Sequence, residues 1–63
     1  MNKEEVLKAL DDGHKVRHRF FEHNEWMKKE GVKYVFEDGV YCYPVEFWEF
    51  KEHPSWDTDW EIV

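Results

Sequence analysis

Val32-Lys33-Tyr34-Val35-Phe36-Glu37-Asp38-Gly39-Val40-Tyr41-Cys42-Tyr43 reads as two short apolar runs joined by a turn signal. β-Branched and aromatic residues favour a pleated strand on both sides, and Asp38-Gly39 is the preferred pair for a tight two-residue hairpin loop. With that loop, Phe36 faces Tyr41, Tyr34 faces Tyr43, and Val35 lies beside Cys42 on the other side. One face is then aromatic and the other small and apolar. Antiparallel sheets with one solvated face usually alternate apolar with polar instead. A hairpin apolar on both faces points to a second buried surface.

Downstream, Pro44 closes the second strand because it has no N–H for the ladder. Val45–Phe50, with Phe47, Trp48 and Phe50, reads as a short helix or turn, and His53-Pro54-Ser55 as a loop. Thr58–Val63 alternates again, with Trp60 and Ile62 on one side and Asp59 and Glu61 on the other, so it reads as a strand.

Upstream, Asn2 and Glu5 form a capping-box pattern, Val6, Leu7 and Leu10 share a helical face, and Gly13 supplies a stop. These signals predict a helix over residues 3–12. Lys15–Phe21 reads as a strand, with Val16, His18 and Phe20 on one face and Lys15, Arg17, Arg19 and Phe21 on the other. Asn24–Lys29 reads as a helical turn capped by Asn24 and ended by Gly31. The fold class is α+β: an N-terminal helix packed on a small antiparallel sheet of about four strands, with a short helical turn, in a single domain spanning residues 1–63. The expected core is Val6, Leu7, Leu10, Val16, Phe20, Tyr34, Phe36, Phe47, Trp48, Trp60 and Ile62.

The chain holds four Trp, three Tyr and five Phe among 63 residues. A domain this small buries only about 60% of its unfolded surface. The aromatic surplus, chiefly Phe21, Trp26, Tyr41, Tyr43 and Trp56, therefore points to a second buried surface covered by a subunit or a ligand. A homo-oligomer is expected, with Tyr41 and Trp56 as interface candidates.

Net charge is −6. Residues 1–31 are balanced, with seven Lys or Arg and seven Asp or Glu; residues 32–63 hold only Lys33 and Lys51 against eight acids. A negative second half is expected to repel nucleic acid, so none is expected as partner. Cys42 is the lone cysteine, which suits a reducing compartment. Residues 1–12 lack the apolar core of a secretion signal, and no apolar run approaches the roughly 20 residues of a membrane span. A cytoplasmic protein without membrane partners is expected.

A short helix ending in Gly, then Lys15-Val16-Arg17-x-Arg19 with an aromatic after it, a Trp-containing turn, Glu37-Asp38-Gly39 and Asp57-x-Asp59-Trp60-Glu61-Ile62-Val63 follow in order. This order resembles small proteins of tailed phages, including the Thoeris anti-defence family of signal-sequestering proteins. The matching residues are Leu7, Leu10, Gly13, Lys15, Val16 and Arg17, and Asp59, Trp60, Glu61 and Ile62. The resemblance implies a non-enzymatic α+β oligomer of the host cytoplasm. It also implies binding of a cyclic ADP-ribose-type nucleotide signal near subunit interfaces, without placing those contacts on particular residues.

The residues themselves supply one ligand-binding constellation. Arg17 and Arg19 project from one strand face, where guanidinium forks can take a pyrophosphate. Phe21 shares that face, and Trp26, Trp48 or Tyr43 offer a stacking surface for a base. The commoner fate of such arginines is to pair with acids of the second half. His14 and His18 on a strand lie roughly 13 Å apart, too far to share a metal, and Cys42 has no cysteine partner, so no metal or cofactor is expected. Cys42 amid aromatics suits packing, Ser55 is the only serine, and no phosphate-binding glycine loop exists, so no enzyme is expected. The acidic half offers another functional class: an acidic inhibitor, or DNA mimic, acting on a host protein.

Overall fold

The Asn2–Glu5 capping box forms as its pattern predicts. The Glu5 N–H donates to Asn2 Oδ1 at 2.9 Å, and the Asn2 N–H donates to Glu5 Oε1 at 2.9 Å. In the computed structural model, which describes residues 1–63, these bonds open helix α1, Lys3–Asp11. Gly13 stops it with φ 88°. The Gly13 N–H reaches the Leu10 carbonyl and the His14 N–H the Ala9 carbonyl, a Schellman closure that satisfies the last helical acceptors.

Five strands follow: β1 Val16–His18, β2 Met27–Glu30, β3 Lys33–Phe36, β4 Tyr41–Cys42 and β5 Trp60–Ile62. They form one antiparallel sheet in the order β4-β3-β2-β1-β5. A short helix, α2 (Pro44–Trp48), leaves β4, and a 3-10 turn (Pro54–Asp57) precedes β5. The expected α+β arrangement of an N-terminal helix on an antiparallel sheet is present, with five strands in place of about four.

The additional strand corrects the segment expected to be helical. Asn24–Lys29 is not a helical turn; Met27–Glu30 is strand β2 at the centre of the sheet. Lys and Glu favour helices on propensity alone, but pairing on both sides of β2 overrides that preference. Gly31 does not end a helix either. It is the first loop residue of a tight β2–β3 hairpin closed by Glu30 opposite Lys33. Its φ is +61° while that of Val32 is negative, the pattern of a II′ turn.

The β3–β4 hairpin differs from expectation by one residue. Tyr34 faces Cys42 and Val35 faces Tyr41, so the loop is Glu37-Asp38-Gly39. Gly39, with φ 86°, donates to the Phe36 carbonyl, and the Phe36 N–H reaches the Val40 carbonyl. This is a type I turn followed by a left-handed glycine, the usual three-residue hairpin loop. The shift moves Tyr41 to the face opposite Tyr34, because side chains alternate along a strand.

The buried apolar residues are Val6, Ala9, Leu10, Val16, Met27, Tyr34, Phe47 and Trp60, joined by fully buried His18. Phe36 and Trp48 pack against this cluster from partly buried positions, while Leu7, Phe20 and Ile62 are exposed. Phe20 and Phe21 exchange their expected roles because β1 ends at His18. The Phe21 N–H bonds the His18 carbonyl and the Phe20 N–H bonds His18 Nδ1, which reverses the chain. Phe21 turns inward, edge-on to Phe36, Phe47 and Trp60, and Phe20 is left 56% exposed over Trp56.

Candidate functional site

Both helices and the buried cluster lie on one side of the sheet. The other side is uncovered. Alternation along each strand puts Lys15 and Arg17 of the β1 segment on this open face, since Val16 and His18 point into the core. The registers carry the same face across the sheet: Arg17 opposite Glu61 on β5, and Lys28 opposite Val35 on β3, which in turn faces Tyr41 on β4. Trp26 directly precedes β2, one step beyond the Val16–Met27 pair, and so stands across from Arg17.

Arg17, on β1 beside the edge strand β5, links the two depressions of the open face. A depression of about 500 Å³ is lined by Arg17, His23, Asn24, Glu25, Trp26 and Val63. A second, of about 390 Å³, is lined by Arg17, Arg19, Asp59, Trp60 and Glu61. Arg17 alone borders both. Its Nη1 donates to the His23 carbonyl at 3.1 Å, which holds the β1–β2 loop beside it, and its Nε lies 3.5 Å from Glu61 Oε1. Arg19 Nη2 lies 3.6 Å from Asp59 Oδ2. Both arginines thus pair with acids of the second half. Both pairs are solvent-exposed on at least one side, where such bridges are worth about 0–1 kcal/mol, so a stronger anion can replace the carboxylates at little cost.

The other expected site residues divide. Trp26 is half-buried at the edge of the first depression, with Lys15 Nζ 4.4 Å from its ring centre. Phe21 does not belong there: the reversal after His18 packs it on the core side of the sheet. Tyr43 follows β4, three strands from β1 and roughly 14 Å across the sheet from Arg17, so it does not join the arginines. Of the two interface candidates, Tyr41 is exposed on the open face with Lys33 Nζ 4.4 Å from its ring. Trp56 instead packs on His18 and Trp60, and its carbonyl accepts the Trp60 indole N–H at 2.8 Å. Lys28 and Lys33 escaped the sequence reading as site residues. Lys33 was legible by alternation opposite Tyr34; Lys28 was hidden by the helical reading of its segment.

Folding also redistributes charge in a way that the linear halves conceal. Lys15, Arg17, Arg19, Lys28 and Lys33 gather on or beside the open face. The acids there are Glu30, Asp59 and Glu61, with Glu25 and Glu37 at the rim. The remaining surface carries the other four bases and ten acids. The open face is therefore balanced, five bases to five acids, on a chain of net charge −6.

Elsewhere the titratable groups are engaged in packing. His18 Nε2 lies 2.7 Å from the Ser55 carbonyl and its Nδ1 accepts the Phe20 N–H, which fixes the Nε2–H tautomer. Burial, aided by the Glu46 charge, pushes the Cys42 thiol up, away from the nucleophilic thiolate. Burial likewise raises the Tyr34 phenol, whose oxygen accepts the Trp48 indole N–H at 3.0 Å. Lys51 is lowered by burial; its ammonium bonds the Phe47 carbonyl at 2.7 Å and lies over the Phe47 ring. No three His, Cys, Asp or Glu side chains converge as metal ligands would. No helix is long and apolar enough to cross a membrane.

Against known families, curated proteins and solved structures, the chain finds no match in any of the three comparisons. The resemblance to the anti-defence family rests on its quoted motifs alone.

Proposed function

We propose that this protein is a non-enzymatic binding domain that captures a nucleotide-class ligand on the open face of its sheet. The observation that carries this reading is Arg17, which borders both depressions, with the Trp26 ring beside one and Arg19 beside the other. Guanidinium groups at Arg17 and Arg19 suit a phosphate or pyrophosphate, and the indole of Trp26 suits stacking of a base. The cyclic ADP-ribose-type signal implied by the resemblance belongs to this chemical class. Sequestration of such a signal by a phage-encoded, cytoplasmic homo-oligomer is the biological form of the same proposal.

A thermal-shift panel of nucleotides, including cyclic ADP-ribose isomers, tests the reading. A ligand at 100 times its Kd stabilises by about 2.7 kcal/mol, which is readily seen in a domain of this size. At least one nucleotide should raise Tm, and Arg17→Ala should abolish the shift. A panel without stabilisation at millimolar concentration would refute it.

A second reading draws on the rest of the surface, which carries ten acids and four bases and where Phe50 is 87% exposed. That surface suits an inhibitor of a basic host protein. Stoichiometric capture of one host protein, lost on Glu46→Lys with Glu49→Lys, would favour it over nucleotide capture.

A further inference from the structure

Two cations of the open face have no acid partner, and each lies over an aromatic ring. Lys15 sits over Trp26 and Lys33 over Tyr41, both at 4.4 Å. Arg17, Arg19 and Lys28 are paired with Glu61, Asp59 and Glu30. Trp26 lies at the head of β2 and Tyr41 on β4, two strands across and about two residues along. Strand spacing and rise put these rings roughly 12 Å apart on one uncovered surface. Each pair combines a flat ring with an ammonium group, which matches one base and one neighbouring phosphate. Lys28 lies on the Tyr41 side of this span, across Val35 from Tyr41, and Arg17 stands on β1 beyond Trp26.

Resting on the nucleotide reading of the Arg17 site, we infer that the ligand is a single-stranded nucleic acid segment. One base stacks at Trp26 and another at Tyr41, the backbone between them passes Lys28, and Arg17 takes the phosphate on the other side of the Trp26 base. Sheets with exposed aromatic rings take two or three unpaired bases in this manner, and a duplex hides those bases from the rings. The acidity of the chain does not forbid this. Six of the fifteen acids, Glu4, Glu5, Asp11, Asp12, Glu46 and Glu49, belong to the two helices and their caps, a layer about 10 Å away, and the Debye length is about 8 Å at physiological salt. Repulsion from those six is thus screened, while the near-face cations act at contact.

The test is fluorescence anisotropy with a labelled oligothymidylate of about six nucleotides, set beside thymidine monophosphate and a duplex of equal length. The single strand should bind more tightly than the mononucleotide and the duplex. Its log affinity should fall with log salt at a slope of about −2 to −3, from three to four neutralised phosphates. Tyr41→Ala should weaken the oligonucleotide roughly 5- to 150-fold, the value of one stacked base, and remove its advantage over the mononucleotide. Lys33→Gln, which removes only the charge at a half-buried position, should act in the same direction, and Lys8→Glu on α1 should do nothing. Mononucleotide binding without gain from the longer strand overturns this inference and spares the Arg17 site. Loss of binding to every probe overturns both. Equal affinity for duplex, or self-association that buries the face and blocks the oligonucleotide, overturns the single-strand inference.

Discussion

Replacing His18 by Phe probes how the sheet holds its one buried polar side chain. His18 is 0% exposed and its ring contacts Phe20, Phe21, Trp56 and Trp60. Phe keeps an aromatic ring of similar size but has no polar atoms. The Phe20 N–H, now bonded to His18 Nδ1 at 3.1 Å, loses its acceptor. The Ser55 carbonyl loses its 2.7 Å partner but keeps longer contacts to the Thr58 N–H and hydroxyl, at 3.4 and 3.5 Å. A stranded buried group costs about 1–3 kcal/mol. With Ser55 partly compensated, the total is about 2–4 kcal/mol. Small domains are stable by about 0.05–0.15 kcal/mol per residue, which for this length gives about 3–9 kcal/mol. His18→Phe should therefore remove a large share of the stability. In urea, with a slope near the small-protein limit of about 1 kcal/mol/M, the midpoint should fall by about 2–4 M. Heating should show a Tm lower by roughly 10–25 °C. A variant within 0.5 kcal/mol of the parent, by about the surface-substitution range, would refute the buried hydrogen-bond role of His18.

Three further outcomes follow from the geometry. Gly31→Ala should cost about 1–2 kcal/mol in urea titration, because φ is +61° and nothing lies within 4 Å of an added Cβ; no loss would contradict the II′ turn. Cys42 and Tyr34 are raised by burial above 9.0 and 10.0, so the folded chain retains protons that the unfolded chain releases there. Their stabilisation is full below pH 9 and is lost as pH rises through the folded values, whereas Lys51, lowered from 10.5, gives an opposing rise in that region. Stability relative to a Cys42→Ala variant should thus decline above pH 9, read by urea midpoints, and a constant difference would be inconsistent with a raised thiol. Met27→Ala should cost about 2–5 kcal/mol, because Met27 is fully buried at the centre of the sheet; a surface-like effect would contradict the β2 assignment.

Where local chemistry decides structure, the sequence was readable. Asn2, Glu5 and Gly13 bound α1 through their own hydrogen bonds and φ, and Pro44 opens α2, where the Tyr43 N–H reaches Glu46 Oε1 at 3.2 Å. Trp26-Met27-Lys28-Lys29-Glu30 was not, since neither alternation nor propensity marks it as a strand. Its identity comes from four pairings with β3 and one with β1. That single misreading also hid the site. With β2 taken as a helix, Lys28 and Trp26 have no shared face with Arg17, and the cations of residues 15–33 look scattered. Arg17, Arg19 and Trp26 were nonetheless legible, because a Lys-x-Arg-x-Arg alternation puts its cations on one face in any strand. Phe21 was lost to the His18 reversal, a side-chain-to-backbone bond that periodicity does not report. The one-residue hairpin shift has a similar origin: Asp38-Gly39 fits either a two-residue or a three-residue loop, and packing of Tyr34 with Cys42 against the core selects the second.

The most direct measurement is an amide and indole NMR titration of the labelled protein with a nucleotide that raises its Tm. The Trp26 indole N–H and the amides of Lys15, Arg17 and Val63 should shift together and saturate with a single Kd, while α1 stays unmoved. Shifts confined to α1, α2 or the Phe50 surface, or no shifts at all, would contradict capture on the open sheet face.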